Sequence, residues 1–326
     1  MFGKKEYKRI VEKIINCLEE TYEDDGLLYS AHDADTNHEE GTTYLWSYEE
    51  LKDVLKEDFS KLNDVYVISR EGNFEGKNHL IKSKNIFLND VEKKLLSIRK
   101  KREQPFIDKK FVTSWNSLAG IGLLMAYRFT GNEIGLKKAK NIFEKLLKKH
   151  YINDKLHHSS LSREIQKNEF LEDYASLLLF ATYLYEEMGE YEDIIKKLYK
   201  KMKEFYKDRW YESSNVDFKE VVAQNYDHPI PSSVSLAEYA TLRAKVILGE
   251  DYMPKEYQQA LAQDFYNIVV LASNGDFHEI HVYEKINWNN IPVNAIIIHG
   301  NIVQDCFKRT CREFKNVQEL VKSLKF

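Results

Sequence analysis

Apolar side chains recur along most of this chain at intervals of three and four residues, the spacing that gathers them on one face of an α-helix. Tyr7, Ile10, Val11, Ile14 and Leu18 make the first such stripe. The stretch 47–57 reads as a short helix, with Ser47 as N-cap and Glu50 as its capping-box partner. Residues 89–103 read as a charged helix closed by Pro105. Thr113 and Ser114 then stand as caps to a strongly apolar helix whose face is Trp115, Leu118, Ala119, Gly122 and Ala126. Small residues on that face admit a neighbouring helix at short range, although glycine there costs helix stability. Further apolar helices are expected at about 132–150, 169–189, 190–207 and 231–249, several joined by short turns such as Thr130-Gly131-Asn132 and Gly189-Glu190.

Helix, short turn, helix, longer loop is the rhythm of stacked helical hairpins, so the fold class is mainly α. The last quarter changes character. Ile268-Val269-Val270-Leu271 and Val293 through Ile298 are short β-branched runs that read as strands, with a helix at about 277–286 between them. The expected organisation is therefore a helical portion over 1–262 and a small strand–helix–strand appendage over 263–326. Long loops at 23–46, 66–85, 151–168 and 208–230 are rich in acids, histidine, asparagine and aromatics. Loops of that length in a compact helical domain are usually functional or disordered. They read as ordered loops gathered at one mouth of a barrel.

The charge balance, 48 basic against 52 acidic side chains, leaves a net −4 and suggests neither a nucleic-acid footprint nor a basic membrane patch. No stretch approaches the roughly 20 apolar residues that span a bilayer. The N-terminus lacks the apolar core of a signal peptide, and Cys17, Cys306 and Cys311 do not make a disulfide framework. A cytoplasmic protein is the expectation, in which Cys306 and Cys311 fit inert thiols better than the alternative, a buried or redox-linked pair.

Asp33 and Asp35 stand two apart in a loop, with Glu39 and Glu40 after them. Paired carboxylates serve acid–base chemistry when their surroundings separate their pKa values, and glycoside hydrolysis uses two of them. The competing reading is a loop whose acids cap helices or hold turns. Asp173 shares a face with Leu177, Phe180 and Leu184 at the start of an apolar helix, where it either points into a cavity or complements the helix dipole. Trp115 and Asn116 open another apolar helix and suit a sugar platform and a hydroxyl partner, or core packing. Asn73, Glu75 and Asn78 crowd a loop with two glycines and read as lining a cavity. His278 and His281 lack a third ligand and an HExxH frame, and His157-His158 is weaker still, so no metal is assigned.

Six segments taken together resemble one family. Leu28-Tyr29-Ser30-Ala31-His32-Asp33-Ala34-Asp35 with Glu40-Gly41 and Tyr44-Leu45-Trp46 resembles the FYSAEDADS…EGKFYVW segment of the YyaL-like, or spermatogenesis-associated thioredoxin-domain, proteins. Gly72 through Asn78 is similar to their GNFEGKNIL. Arg99 through Asn116 resembles RxxRxxPxxDDKxLTSWNGL, and Leu171-Glu172-Asp173-Tyr174-Ala175 resembles LDDYA. Asp227 through Ser233 is similar to DGAEPSGNS, and Cys306 with Cys311 to a C-terminal CxxxxC. The resemblance implies a thioredoxin-like domain followed by a six-hairpin barrel akin to glycosidases and N-acylglucosamine epimerases. This chain carries no CxxC and lacks the family's first barrel helices, while Lys109, Glu172 and Ser117 depart from the motifs.

The implied fold is a partial (α/α) six-hairpin barrel with a small α/β appendage. The implied function is a carbohydrate-active or sugar-binding protein, glycosidase- or epimerase-like. Asp33, Asp35 and Asp173 are its catalytic candidates. Asn73, Glu75, Asn78, Trp115, Asn116 and Tyr174 are its substrate-binding candidates. No cofactor is expected. The alternative is a non-catalytic scaffold beside a thioredoxin-like partner. Uncovered apolar faces predict either self-association or a separate polypeptide that carries the missing helices.

Overall fold

The computed structural model describes residues 5–214, 219–252 and 264–324. The chain divides into two compact units, one made of Met1–Tyr29 and Lys110–Phe326, the other of Ser30–Lys109. The boundary expected at 262/263 lies outside the described residues.

Helix α1 (Lys5–Cys17) opens the larger unit. Of the expected stripe, Tyr7, Ile10 and Ile14 are exposed and Val11 and Leu18 half-buried, while the buried residue is Ile15, which lies outside it. The smaller unit then holds α2 (Tyr48–Leu55), α3 (Phe59–Val65) and α4 (Asn89–Arg99) around a core of Trp46, Leu51, Leu55, Leu62, Val91 and Leu95. Ser47 caps α2 as the sequence suggests, its Oγ accepting from the Glu50 N–H at 3.0 Å. The reciprocal half of the box is missing: Glu50 Oε1 instead accepts from Arg102 Nη2 at 2.7 Å. That guanidinium lies 3.8 Å over the Trp46 ring and also donates to the Thr43 and Leu45 carbonyls.

The larger unit resumes with strand β1 (Phe111–Val112) and two helical hairpins, α5 (Thr113–Thr130) with α6 (Glu133–His150) and α7 (Leu171–Met188) with α8 (Glu192–Met202). Gly131 and Gly189 close α5 and α7 in the left-handed conformation, which a helix C-cap favours. A third pair follows, α9 (Ser233–Ile247) with α10 (Asp264–Ser273). Helices α5 and α9 both pack on α7, which is buried on nearly every side; α6 and α8 lie against them with one apolar face each. An apolar helix of that kind is stable only inside a core, which accounts for the layering.

Two details of α5 differ from the sequence reading. Its buried face is Asn116, Ser117, Gly120, Leu123, Leu124 and Tyr127, whereas Trp115 and Gly122 are exposed. The polar side chains on the buried face are bonded to backbone, so apolar periodicity alone misplaces the face. Close helix approach occurs at Gly120, where an added Cβ would lie 2.2 Å from the Phe180 ring. The caps also differ: neither Thr113 nor Ser114 caps through its own hydroxyl, and the helix start is satisfied from elsewhere in the chain, as described below.

Between α6 and α7 lies the hairpin β2 (Ser159–Leu161) and β3 (Glu164–Gln166), with β1 on the other edge of β2. The C-terminal region reverses two expectations. Residues 268–271 belong to helix α10, and the expected helix at 277–286 holds the strand β4 (His278–Val282). A four-residue apolar run does not distinguish strand from buried helix. In β4 the alternation of buried Ile280 and Val282 with half-exposed Glu279 and His281 is the strand period. Strands β5 (Ala295–His299), β6 (Gln304–Phe307) and β7 (Thr310–Glu313) complete a sheet of order β5-β4-β6-β7, parallel only between β4 and β5. Ile296 and Ile298 join the helical core, while Ala295 and Ile297 pack with Ile280, Val282 and α11 (Val317–Ser323) in a second core. Cys306 and Cys311 face each other across the β6–β7 hairpin and form a disulfide, not the inert thiols expected. Lys308 and Arg309 both have positive φ, the two-residue turn that sets this register.

No helix among the described residues is long and apolar enough to cross a membrane.

Candidate functional site

The amino-terminal ends of α5 and α7 meet at one place. The Ser114 N–H donates to Asp173 Oδ1 at 3.0 Å, so a carboxylate from α7 satisfies the open first turn of α5. Asp173 is fully buried. Its other oxygen, Oδ2, lies 2.9 Å from His158 Nδ1. His158 is delivered by the segment just before β2: the Thr113 N–H donates to its carbonyl at 2.8 Å, and its own N–H donates to the Asn168 carbonyl at 3.1 Å. The Phe170 ring meets its imidazole edge-on at 5.0 Å. Glu172 stands beside them, Oε1 3.7 Å from His158 Nδ1, with about a third of its side chain exposed (32%).

The electrostatics follow from this crowding. The hydrogen bond to Asp173 raises the His158 pKa, against the cost of burial. Burial raises that of Asp173, opposed by His158 and by the Ser114 donors. Burial, and next the Asp173 charge, push Glu172 up to about 7. Glu212 adds to that push from the loop before α9; its carboxylate accepts from Ser233 Oγ at 3.0 Å, and its carbonyl accepts from the Leu171 N–H at 2.9 Å. The nitrogen and carboxylate oxygens of His158, Glu172 and Asp173 lie within 4.8 Å of one another, a donor set that a metal ion also accepts.

Among the sequence candidates, Asp173 sits at the centre of this cluster, and Trp115, 44% exposed, follows Ser114 in the first turn of α5. Asn116 and Tyr174 are buried and engaged by the protein. Asn116 Oδ1 accepts from the Leu28 N–H, and its Nδ2 donates to the Leu28 and Val112 carbonyls. The Tyr174 hydroxyl donates to Glu169 and accepts from the Leu156 N–H.

The other candidates belong to the smaller unit. Asp33 Oδ1 accepts from the Asp35 N–H at 3.3 Å, and Asp35 pairs with Glu40 in a two-residue hairpin whose turn residues, Asn37 and His38, have positive φ. Asn73 clips its loop through Val67, and through His79 twice. Asn78 is fully buried, bonded to both backbone groups of Ser69 and to the Trp46 carbonyl. Glu75 is exposed at a positive-φ position of the same loop.

Sequence reasoning gave Glu172 no functional role and set the His157-His158 pair aside as a weak metal signal. The acid pair opening a wholly apolar helix was the available signal for Glu172. Nothing local marked His158, because its partner lies 15 positions away and a hairpin brings the two together. The other histidines it considered pair singly, His278 with Asp305 and His281 with Glu279.

No family model matches the chain. It is 25% identical over 310 residues to Uncharacterized protein B0495.5 of Caenorhabditis elegans, a match covering 77% of this chain and 42% of that protein. Two similar solved structures are family 76 glycoside hydrolases. One is a mannosidase from Bacteroides thetaiotaomicron, at TM-score 0.34 and 16% identity over 51% of this chain and 53% of that one. The other comes from a bovine strain of that species, at TM-score 0.36 and 12% identity over 86% and 59%. The chain thus spans less than half the length of the curated relative it matches.

Proposed function

We propose that the cluster where the amino-terminal ends of α5 and α7 meet performs acid–base chemistry on a carbohydrate, within a partial (α/α) barrel of the YyaL-like kind. The observation that carries this reading is geometric: a buried Asp173 holds His158 through Nδ1, and a part-exposed carboxyl, Glu172, stands 3.7 Å from the same nitrogen. In such a pair the carboxylate orients the ring and Nε2 remains to exchange a proton with a substrate. Glu172 supplies a second proton-transfer group, and the exposed Trp115 a flat apolar face for a sugar ring. Asp173 thus becomes the positioning group of the catalytic set, with Glu172 and His158 touching substrate. Asp33 and Asp35 do not enter this reading. The motif resemblance supports the same substrate class.

The test is a panel of oligosaccharides and reducing sugars incubated in deuterated buffer. Hydrolysis appears as new reducing ends, and epimerisation as deuterium at carbon. Glu172→Gln and His158→Asn should each lower turnover at least about a hundred-fold, the usual worth of a general acid or base. Trp115→Ala should weaken binding with little change in stability. Turnover indifferent to both Glu172 and His158 would sink the proposal.

A second reading rests on a different observation. Tyr7, Ile10 and Ile14 form an exposed apolar line on α1, which favours a scaffold that docks a second polypeptide or a copy of itself. Light scattering tests it, and a monodisperse monomer that binds no sugar and no partner would count against both readings.

A further inference from the structure

We propose that His158 Nδ1, Glu172 and Asp173 together bind one divalent transition-metal cation, of the zinc class, at the junction of α5 and α7. The inference rests on the same junction of α5 and α7 as the acid–base reading, but its claim is separate: a cation in place of the hydrogen bond between His158 and Asp173.

The geometry supplies three donors of the right kind. Zinc binds imidazole nitrogen and carboxylate oxygen at roughly 2.0–2.2 Å, so two ligands of one ion lie roughly 3–3.5 Å apart. His158 Nδ1 is 2.9 Å from Asp173 Oδ2 and 3.7 Å from Glu172 Oε1, values that bracket this spacing. All three ligand atoms lie within 4.8 Å of one another, a spread that a rotamer adjustment of the part-exposed Glu172 closes. One imidazole with two carboxylates suits zinc, manganese or iron better than calcium or magnesium, which prefer oxygen alone.

The groups behind the donors are in place as well. Asp173 Oδ1 is fixed by the Ser114 N–H, which leaves Oδ2 as the ligating atom, and Phe170 orients the imidazole. Outer partners of this kind commonly set metal affinity. An independent observation points the same way. Ser114 is 1% exposed, and its hydroxyl comes near enough to the Asp173 carboxylate to lower its pKa but reaches no partner at full hydrogen-bond geometry. A buried hydroxyl left open costs free energy, and an ion or its bound water at this position would satisfy it. The exposed edges of Glu172 and His158 leave room for solvent or substrate as the remaining ligand.

The experiment is calorimetric titration of the full chain, after dialysis against chelator, with zinc chloride, and in parallel the visible absorption of the cobalt-loaded protein. One equivalent should bind, and cobalt should give the intense d–d bands of a four- or five-coordinate site. Glu172→Gln and His158→Ala lie at the open side and should each weaken zinc at least ten-fold. Asp173 is left intact, because it also caps α5. His281→Gln, in the C-terminal sheet, should change nothing. Absence of binding at micromolar zinc, or binding that both substitutions leave unchanged, overturns the proposal. Zinc binding without any sugar turnover upholds it while removing the acid–base reading; sugar turnover with no zinc binding does the reverse.

Discussion

Glu186 shows how much one side chain can hold. Its carboxylate is fully buried, 2.8 Å from Arg128 Nη2 and 2.6 Å from Arg243 Nη2, and Oε1 also accepts from the Ile297 N–H at 3.1 Å. It ties α5, α9 and strand β5 to α7. Removing one partner from such a cluster leaves uncompensated buried charge, so Glu186→Ala should cost about 3–5 kcal/mol in urea unfolding. Breaking the exposed pair of Lys196 and Glu192 by Lys196→Ala should leave stability nearly unchanged. Equal losses from the two would refute the distinction. His150 makes a pH prediction. It is fully buried between Thr113 Oγ1 and Ser160 Oγ, and burial pushes its pKa down to about 4. The unfolded chain therefore binds a proton that the folded chain refuses. Stability is complete above the unfolded value of 6.5 and falls as pH drops from there to about 4, by up to about 3 kcal/mol. Unfolding of His150→Gln, measured between pH 7 and 4.5, should start lower but lose less. A slope as steep as that of the unsubstituted protein would disprove the assignment.

At the scale of elements, two glycines on one helix should respond in opposite ways. Gly120 sits where α5 crosses α7, and a Cβ there meets the buried Phe180 ring at 2.2 Å. Gly120→Ala should lose about 1–3 kcal/mol by overpacking, more than the roughly 1 kcal/mol that alanine returns in helix propensity. Gly122 has nothing within 4 Å of its added Cβ, so Gly122→Ala should gain about 0.5–1 kcal/mol. Thermal denaturation of the two variants decides it; a stabilised Gly120→Ala would mean that the helices are not pinned at this crossing.

At the scale of the whole molecule, the two units have separate cores and should lose protection separately. Arg102 holds the smaller unit together through Thr43, Leu45, Glu50 and the face of Trp46. Arg102→Ala should raise hydrogen exchange across Ser30–Lys109 while α6 and α7 keep their protection, because local openings follow local packing. A uniform rise over both units would show that they open as one.

The sequence by itself determined the helices of the hairpins, because a stripe of apolar residues returning every three to four positions has only a helix in which to be buried. It also determined the turns at Gly131 and Gly189 and the cap at Ser47, where the signal lies within four residues. It marked Asp173 and Trp115 as candidates, since a carboxylate or tryptophan opening an apolar helix is conspicuous locally, but not what either one meets. Tertiary structure alone decided the rest. Residues 268–271 became helix and 278–282 strand because short apolar runs take the form their neighbours impose. Asn73, Asn78, Asn116 and Tyr174 are spent on backbone and side-chain partners that no local pattern reveals. Cys306 and Cys311 joined because a two-residue turn placed them opposite each other. His158 reached Asp173 because a hairpin folded back onto α5, and a contact across that distance is set by how elements pack, not by the residues on either side of it.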